Sequence, residues 1–372
     1  MKILFLTGDY LTRPLGIASL AASAAAYGHQ CEVAALRDVQ RQKKLLQGFR
    51  PRVLCLSLVT GQHILFIKRV REIKKSFPDI TVLAGGPHPT FYPESVHEPN
   101  FDAVCRGEGD LAFPFLINAF EREGCLPLQA PNWLIKMPDG SVSKNNLAPL
   151  VENLDTLPYP DRGMFDRAQP GYRPVTAYVM TSRGCPYNCS YCFNHAYREL
   201  YRGLGRMCRR RSIANLLGEL VFLKRRYPLQ IIVFQDDTFN LDKQWLREFA
   251  DVYQREIHLP FHCHLRADIF DEECAELLCR AGCLSVKLGL ESGREHVRNE
   301  ILNRNMSLEQ FESACRLLRR FNIRFATENI LAVPGTRLDD DLFTYSVNCR
   351  VRPQHSFATL MQLYPRTMIA EY

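Results

Sequence analysis

The chain has 372 residues, of which 46% are hydrophobic and 23% are charged, and its formal net charge is +7. These values exclude global disorder and collagen-like repeats, and at about 150 residues per domain the length predicts two or three domains. No stretch is apolar enough for a membrane span, and the apolar run at the N-terminus is too short for a signal peptide. We therefore expect a cytoplasmic protein.

The cysteines are unevenly distributed. Of the 14 cysteines, Cys185, Cys189 and Cys192 lie close together and the others are scattered. A secreted disulfide scaffold is small and rich in loops, whereas this chain is long and rich in regular patterns. The sequence therefore predicts reduced thiols and one metal cluster.

Residues 1–125 alternate short apolar runs with helical patterns, as in a parallel sheet covered by helices. The predicted helices are Ile17–Tyr27 and His63–Phe77, and the predicted strands are Ile3–Leu6, Glu32–Leu36, Val53–Leu58, Thr81–Ala84 and Ala103–Cys105. Small residues gather where these strands should end, namely Ser57, Thr60, Gly85, Gly86, Gly107 and Gly109. In a doubly wound, Rossmann-like sheet the carboxyl ends of the strands form the ligand crevice.

Residues 126–174 break this alternation and are interpreted as a linker. The segment contains a predicted β-hairpin, with Asn132–Lys136 and Ser141–Ser143 on either side of the turn Pro138-Asp139-Gly140. The Pro-rich stretch LPYPDRGMF follows it and is typical of a connection between domains.

Residues 175–372 show a second alternation of strands and helices. Asp271 and Ser307 are predicted helix N-caps, and Gly282 is a predicted helix stop. The predicted strands are Val175–Thr181, Ile231–Phe234, Phe261–Leu265, Leu284–Leu290, Ile323–Val333 and Ala358–Leu363. Six strands with five intervening helices predict a partial (β/α)6 barrel, with its chemistry at the carboxyl ends of the strands. No closing helix follows the sixth strand, so we expect this end of the barrel to be incomplete.

The cysteine motif directly follows the first predicted strand of the barrel. Its spacing, Cys185-x3-Cys189-x2-Cys192, allows three thiolates of one loop to bind one cluster. Three ligands for four irons leave one iron open, whereas ferredoxin spacing supplies a fourth cysteine. A structural zinc site is the alternative, and it needs a fourth ligand such as His195.

The segment TSRGCPYNCSYC resembles the signature of the radical S-adenosylmethionine (SAM) enzymes. The similarity continues through PLQIIVFQDDTF, CHLRADIFDEE, LGLESG, NILAVPGT and LYPRT, which together span most of the second half of the chain. The resemblance implies a [4Fe-4S] cluster on Cys185, Cys189 and Cys192, whose open iron binds the amino and carboxylate groups of SAM.

The resemblance also implies roles for residues around the cluster. Tyr191 should contact the adenine of SAM, and Glu291 should bind its ribose, because a carboxylate accepts hydrogen bonds from two neighbouring hydroxyls. Arg266 and Arg304 are candidates for the methionine carboxylate. Asp236 and its neighbour Asp237 are interpreted either as contacts to SAM or substrate or as capping residues.

The first half of the chain resembles the cobalamin-binding domain that precedes many radical SAM cores. The segments that carry the similarity are PLGIASLAASAAAYGHQCEV, LCLSLVT, VLAGGPHPT and DAVCRGEGD. Small residues at the strand ends would let the nucleotide tail of cobalamin pass and would offer backbone donors. A flavodoxin-like domain without a bound nucleotide is the alternative.

The loop after the first strand bears on how cobalt would be held. Classical cobalamin domains present a histidine there, from an Asp-x-His-x-x-Gly stretch, whereas Gly8–Gly16 contains Asp9 but no histidine. The resemblance then implies a base-off cofactor whose lower face lies near Tyr10 or Leu11. His63 is the rival axial ligand.

All of the excess positive charge lies between Arg198 and Arg226. Arg209, Arg210 and Arg211 are closest to the cysteine motif, and we expect them to form a positive rim. Such a rim would dock an acidic electron donor such as a flavodoxin or ferredoxin, or bind an anionic substrate. No RNA-binding module is visible, so nucleic acid is not expected as a partner.

The resemblance implies a cobalamin-dependent radical SAM enzyme that transfers a methyl group to an unactivated carbon of a small molecule. Its cofactors would be the [4Fe-4S] cluster, SAM and cobalamin. The alternatives are a radical cyclase or rearrangement enzyme of the anaerobic tetrapyrrole type, and a non-catalytic sensor that binds cobalamin or the cluster. A methylthiotransferase is disfavoured because the cysteines of the first half are too dispersed for a second cluster.

Overall fold

The computed structural model describes residues 1–11 and 13–372, and contacts divide the chain into two units. The first unit comprises Met1–Val151, Thr156–Tyr172 and Tyr201–Gly205, and the second comprises Glu152–Asp155, Arg173–Leu200 and Arg206–Tyr372. Thr12, in the loop expected near cobalt, lies outside the described residues. No helix of the described ranges is long and apolar enough to cross a bilayer.

The first unit is built on one seven-stranded sheet in the order β2-β1-β3-β4-β5-β6-β7. Its strands are β1 (Lys2–Thr7), β2 (Gln30–Ala35), β3 (Val53–Ser57), β4 (Thr81–Gly85), β5 (Ala103–Cys105), β6 (Trp133–Lys136) and β7 (Val142–Lys144). Its helices are α1 (Leu15–Ala25), α2 (Val39–Lys44), α3 (His63–Ser76), α4 (Pro87–Phe91), α5 (Ala112–Glu123) and α6 (Gly163–Ala168).

Strands β1 to β5 are parallel, so the predicted doubly wound sheet is confirmed. Strand β1 is buried on both faces: Ile3 and Phe5 belong to one hydrophobic cluster, and Leu4 and Leu6 to another. Burial on both faces explains why these strands read as continuous apolar runs. The strand order reverses between β1 and β3, and doubly wound sheets bind ligands at such a switch point.

The hairpin belongs to this sheet and not to a linker. Strand β6 pairs antiparallel with β5, with Trp133 opposite Cys105, and β7 pairs with β6. Trp133 and Ile135 are buried in the same cluster as Phe5, and the indole N–H of Trp133 donates to the Ala112 carbonyl at 3.0 Å. The placement of the hairpin outside the sheet was therefore wrong, because its apolar side chains complete the core of the first unit.

The second unit contains a six-stranded parallel sheet in the order β8-β11-β12-β13-β14-β15, and a two-stranded antiparallel sheet of β9 and β10. Its strands are β8 (Thr176–Val179), β9 (Ser182–Arg183), β10 (Arg209–Arg210), β11 (Ile231–Phe234), β12 (Phe261–Leu265), β13 (Cys283–Glu291), β14 (Arg324–Leu331) and β15 (His355–Leu360). Its helices are α7 (Phe193–Leu200), α8 (Ile213–Arg226), α9 (Lys243–Glu256), α10 (Glu272–Ala281), α11 (Leu308–Arg320) and α12 (Leu338–Val351).

This sheet contains all six predicted strands of the partial barrel. The predicted helix ends are also present: Asp271 accepts from the Cys274 amide, Ser307 and Gln310 form a capping box, and Gly282 adopts a left-handed conformation with φ 85°. Strand β15 begins three residues before the predicted Ala358 start. Every residue of β15 is exposed, so alternating burial leaves no signal of its register.

The expectation of a solvent-facing rim at Arg209–Arg211 was wrong. Arg209 is only 4% exposed. Arg210 lies 4.3 Å from the ring centre of Trp245, and Arg211 forms an ion pair with Glu219 on α8. The side chains of Arg211 and Glu219 are only 11% and 1% exposed. The two charges therefore pair inside the unit and do not form a surface for a partner.

Removing the Arg211 charge should destabilise the protein strongly. An Arg211→Ala variant loses the buried ion pair with Glu219 while the Glu219 charge stays buried, and breaking such a pair costs about 3–5 kcal/mol. We expect urea-induced unfolding, followed by circular dichroism, to reveal a loss of this size. The matched control is Arg206→Ala, whose pair with Glu152 is largely exposed and should contribute about 0–1 kcal/mol. Equal losses in the two variants would contradict this account.

Candidate functional site

The three predicted cluster ligands lie on one irregular loop in the second unit, after β8 and β9. Gly184 opens the loop with φ 85°, and a Cβ atom there would overlap the Met207 carbonyl, so the turn requires glycine. Cys185 and Cys189 are buried, and Cys192 is half-buried. In the described part of the chain, no three His, Cys, Asp or Glu side chains form a ready metal site.

Each of the three sulfur atoms has a polar neighbour. Thr238 Oγ1 lies 3.6 Å from Cys185 Sγ, and Asn194 Nδ2 donates to Cys192 Sγ at 3.6 Å. Arg266 Nη1 donates to Cys189 Sγ at 3.7 Å. Burial raises the pKa of Cys192 to about 11 and raises that of Cys185. The thiols of Cys185 and Cys192 would therefore lose their protons only when a metal binds, and the donors around the three sulfur atoms suit thiolate ligands.

Asp236 anchors the strand that leads into the cysteine loop. Its carboxylate has no exposed surface and accepts from the Thr181 amide and hydroxyl and from the Ser182 hydroxyl. These donors account for a buried charge. Asp236 therefore holds the segment after β8 in place and does not cap a helix, and its role as a cofactor contact stays a prediction. Its neighbour Asp237 is exposed and accepts from Asn194 Nδ2 at 3.2 Å.

Tyr191, Glu291 and Arg304 form one hydrogen-bonded group, in which Glu291 and Arg304 are buried and Tyr191 is half-buried. The Tyr191 hydroxyl donates to Glu291 Oε1 at 2.8 Å and accepts from Arg304 Nη1 at 2.7 Å. Arg304 Nη1 also lies 3.1 Å from Glu291 Oε1. The Nε atom of Arg304 is buried without a hydrogen-bond partner. The predicted contacts for adenine, ribose and carboxylate are therefore neighbours, and an unused donor remains among them.

The backbone at the end of β13 creates this arrangement. The pairing of β13 with β14 is irregular between Gly289 and Glu291, and Glu291 adopts φ 62°, which is uncommon for a residue other than glycine. A Cβ atom on Gly289 would lie within 3.0 Å of both Glu291 Oε1 and the Arg304 guanidinium. Burial raises the pKa of Glu291, and the charge of Arg304 offsets part of that rise.

Arg266 is engaged by the protein itself. Nε and Nη2 donate to the two carboxylate oxygens of Asp268 at 2.8 and 3.1 Å, and Nη2 also donates to the Arg304 carbonyl at 2.7 Å. The guanidinium stacks on the Tyr187 ring, 3.4 Å from its centre. Since every guanidinium nitrogen of Arg266 already has an acceptor within the protein, no donor of this side chain is left unused for a carboxylate ligand.

A second set of titratable groups lies on neighbouring strands of the same sheet, and the sequence analysis did not select it. His264 of β12 is in register with Lys287 of β13, whose ammonium lies 2.9 Å from Glu328 of β14. His262 Nδ1 lies 2.9 Å from the Ser285 hydroxyl, and burial lowers the pKa of His262 to about 4. The sequence feature that could have revealed this set is the alternation of polar and apolar residues in FHCHL, the sequence of β12.

In the first unit, the small residues predicted for cobalamin lie at the ends of β3, β4 and β5 or just after them. At Gly107 (φ 75°) a Cβ atom would overlap the Tyr201 hydroxyl, and at Gly109 it would lie 2.9 Å from Leu20. At Gly86 (φ 96°) it would lie 3.0 Å from the Leu58 backbone and 3.1 Å from Ser57 Oγ. A Cβ on Gly85 would only touch Cys105, at 3.5 Å. Close packing within the protein therefore explains Gly86, Gly107 and Gly109 without a ligand.

The two residues expected below cobalt have different surroundings. The Tyr10 hydroxyl donates to Asp38 at 3.1 Å and accepts from the Ala35 amide at 2.9 Å, and burial raises the pKa of Tyr10 to about 12. The Leu11 side chain is 77% exposed. Leu11 is thus the accessible member of the pair, whereas the Tyr10 hydroxyl is held at the end of β2.

His63 is paired with a second histidine. Its ring stacks on that of His88 with centres 3.9 Å apart, and its Nδ1 accepts from the Gly61 amide at 3.2 Å. His88 Nδ1 lies 3.0 Å from Thr60 Oγ1, which was predicted to contact cobalamin. Burial lowers the pKa of His88 to about 4, so this ring is neutral at pH 7.

Exposed apolar side chains at the same end of the sheet were missed by the sequence analysis. Large exposed apolar groups mark binding surfaces when they are contiguous. Those that follow β3, β4 and β5 in the chain are Val59, Ile64, Leu65, Tyr92 and Leu111, with exposed fractions of 42% to 64%. The sequence feature that could have indicated these side chains is the pair Ile64 and Leu65 in the first turn of α3, where a surface helix normally carries polar residues.

Comparison with known proteins assigns both units. Residues 1–117 match the B12 binding domain, and residues 179–343 match the radical SAM superfamily. The fold and these matches define a radical SAM protein with a B12-binding domain. The radical SAM domain implies a [4Fe-4S] cluster and SAM as cofactors, and the B12-binding domain implies cobalamin.

Several curated proteins are similar over most of the chain. An uncharacterized methyltransferase of Pyrococcus horikoshii is 27% identical over 338 residues, which are 88% of this chain and 71% of that protein. The anaerobic magnesium-protoporphyrin IX monomethyl ester cyclase of Rubrivivax gelatinosus is 26% identical, with 76% of this chain and 51% of the cyclase covered. The cytidylyl-2-hydroxyethylphosphonate methyltransferase of Streptomyces wedmorensis is 22% identical, with coverages of 78% and 59%. The chain thus spans only part of each relative.

Two solved structures share the fold. The radical SAM methyltransferase TsrM from Kitasatospora setae, bound to tryptophan and a SAM analogue, superposes with a TM-score of 0.79 at 19% identity. The match covers 99% of this chain and 74% of TsrM. The cobalamin-dependent radical SAM enzyme OxsB gives 0.76 at 19% identity, with coverages of 100% and 54%.

The crowding at Gly289 gives a test of the Tyr191–Glu291–Arg304 group. In Gly289→Ala the new methyl group would displace the Glu291 carboxylate or Arg304, so we expect SAM binding to weaken about tenfold or more, which corresponds to ~1.4 kcal/mol. Equilibrium dialysis with the cluster-reconstituted protein measures this. Gly48→Ala is the control, since nothing lies within 4 Å of its Cβ position. Unchanged SAM affinity in Gly289→Ala would show that this group does not contact SAM.

Proposed function

We propose that the protein is a cobalamin-dependent methyltransferase that transfers a methyl group from SAM to an unactivated carbon of a small-molecule substrate. The observation that carries the proposal is the hydrogen-bonded group of Tyr191, Glu291 and Arg304 beside the three-cysteine loop, in a chain that also has a B12-binding domain. Methyltransferases among the relatives support it.

The residues of the second unit would hold the cluster and SAM. Cys185, Cys189 and Cys192 supply three thiolates, and Thr238, Asn194 and Arg266 stabilise them by hydrogen bonds. When bound, the cluster would supply the electron for reductive cleavage of SAM, and cobalamin would carry the methyl group. Glu291 accepts from ribose hydroxyls, and the unpartnered Nε–H of Arg304 is available to an anionic group of the ligand.

In the first unit, the loops after β1, β3, β4 and β5 would hold cobalamin. Ser57 and Thr60 lie at or just after the end of β3, which borders the switch point where doubly wound folds bind nucleotide-like ligands, and Gly85 and Gly86 lie at the end of the neighbouring strand β4. The exposed apolar side chains of Val59, Ile64, Leu65, Tyr92 and Leu111 would cover apolar parts of the corrin ring. An acidic donor such as a flavodoxin or ferredoxin would supply electrons.

A cyclase is the second candidate, because a magnesium-protoporphyrin IX ester cyclase is among the relatives. The two activities differ in how they use SAM. A methyltransferase of this type consumes SAM twice and forms both 5′-deoxyadenosine and S-adenosylhomocysteine, whereas a cyclase forms only the former. We expect both products from the reduced, cobalamin-loaded protein, measured by mass spectrometry with methyl-deuterated SAM. Deuterium should reach cobalamin, and formation of 5′-deoxyadenosine alone would favour the cyclase.

The cluster assignment is tested separately. Anaerobic reconstitution should give about one [4Fe-4S] cluster per chain, measured by iron and sulfide content and by the EPR spectrum of the reduced protein. Cys189→Ala should lose the cluster and SAM cleavage together, because the remaining two thiolates cannot hold it. The control is Cys279→Ala, an exposed cysteine on α10. Production of 5′-deoxyadenosine by Cys189→Ala would contradict the assignment.

Cobalamin should bind without a protein nitrogen on cobalt. The loop after β1 contains no histidine, and His63 is stacked on His88 with its Nδ1 accepting a backbone hydrogen bond. We expect the EPR spectrum of the cob(II)alamin-loaded protein to lack nitrogen superhyperfine splitting. A nitrogen triplet that disappears in His63→Ala would overturn this expectation.

A further inference from the structure

We propose that Arg266 sets the reduction potential of the cluster through its contact with Cys189, and that Asp268 limits its effect. The inference rests on the proposed cluster at Cys185, Cys189 and Cys192. It gives Arg266 a role different from the methionine-carboxylate contact implied by the family resemblance. Arg266 is the cationic member of the three sulfur contacts, since Thr238 and Asn194 are neutral.

The geometry fixes the charge next to the sulfur. Arg266 Nη1 lies 3.7 Å from Cys189 Sγ, and the guanidinium cannot swing away, because Asp268 holds two of its nitrogens and the Tyr187 ring stacks on its face. The bond from Nη2 to the Arg304 carbonyl fixes it further. Such a planar, forked grip is characteristic of arginine and is not reproduced by lysine.

Because Arg266 is buried, its charge acts strongly on the neighbouring sulfur of Cys189. The side chains of Arg266 and Asp268 are 5% and 10% exposed, so water screens them poorly. A reduced cluster carries one more negative charge than an oxidised one. A neighbouring cation and a hydrogen bond to a ligand sulfur therefore stabilise the reduced form and raise the potential, and these are known means of tuning such clusters. Asp268, with the opposite charge, must act in the opposite direction.

Removing the charge of Arg266 and removing the charge of Asp268 should shift the reduction potential of the cluster in opposite directions. In Arg266→Gln the side chain can still donate a hydrogen bond but has lost its charge. We expect the ratio of reduced to oxidised cluster at a fixed potential to fall about tenfold, equivalent to ~59 mV for a one-electron couple. Asp268→Asn should raise that ratio, because Arg266 keeps its charge and loses the compensating carboxylate. Arg266→Lys should lie between Arg266→Gln and wild type.

The measurement is an EPR-monitored potentiometric titration of the reconstituted protein with dithionite and redox dyes, without SAM. Arg247→Gln is the control, because it removes an exposed arginine paired with Glu273, and it should leave the potential unchanged. SAM affinity is measured on the same samples by equilibrium dialysis. If Arg266→Gln does not retain its cluster, Asp268→Asn and Arg266→Lys still give signed predictions.

The outcomes separate this proposal from the proposed function. An unchanged potential in Arg266→Gln, or shifts of the same sign in Arg266→Gln and Asp268→Asn, would overturn it. Weaker SAM binding by Arg266→Gln without a potential shift would also overturn it and would return Arg266 to the carboxylate role. A wild-type protein that assembles no cluster would instead contradict the proposed function itself.

Discussion

The buried carboxylate of Asp236 connects the sheet of the second unit to its chemistry. It lies just after β11 and accepts three hydrogen bonds from Thr181 and Ser182, which follow β8. A charge without exposed surface is tolerated only when donors surround it, so the end of β8 must remain where these donors reach Asp236. The cysteine loop starts two residues after Ser182, and its position therefore depends on this contact.

From the cysteine loop, a continuous chain of contacts crosses the site. Cys189 contacts Arg266, Arg266 donates to the Arg304 carbonyl, and Arg304 holds both Tyr191 and Glu291. Groups assigned to the cluster and groups assigned to SAM thus share partners. Residues in one hydrogen-bonded network do not contribute additively, so substitutions at Arg304 should affect more than one of these groups.

The sequence was sufficient for the features that depend on local patterns. The positions of the strands along the chain follow from alternating apolar runs, and the caps at Asp271 and Ser307 follow from short-range hydrogen bonding. The three-cysteine motif could likewise be recognised from one short segment, without knowing which other residues surround it. The features that were missed depend on pairings that no sequence period reveals. Arg211 is buried because it pairs with Glu219, eight residues later in the same basic segment. Strand β6 joins the sheet because Trp133 fits the core beside β5, about thirty residues earlier in the chain.

The segment Tyr201–Gly205 has a consequence for how such chains can be divided. It follows α7 of the radical SAM domain, yet it belongs to the first unit, where the Tyr201 hydroxyl accepts from the Glu108 amide and fills the space left by Gly107. The Leu204 carbonyl likewise accepts from the Leu150 amide. A B12-binding fragment cut after Val151 would lack both partners and expose two backbone donors. Recombination between relatives would therefore have to exchange this short segment together with the B12-binding domain, although about fifty residues separate them in the chain.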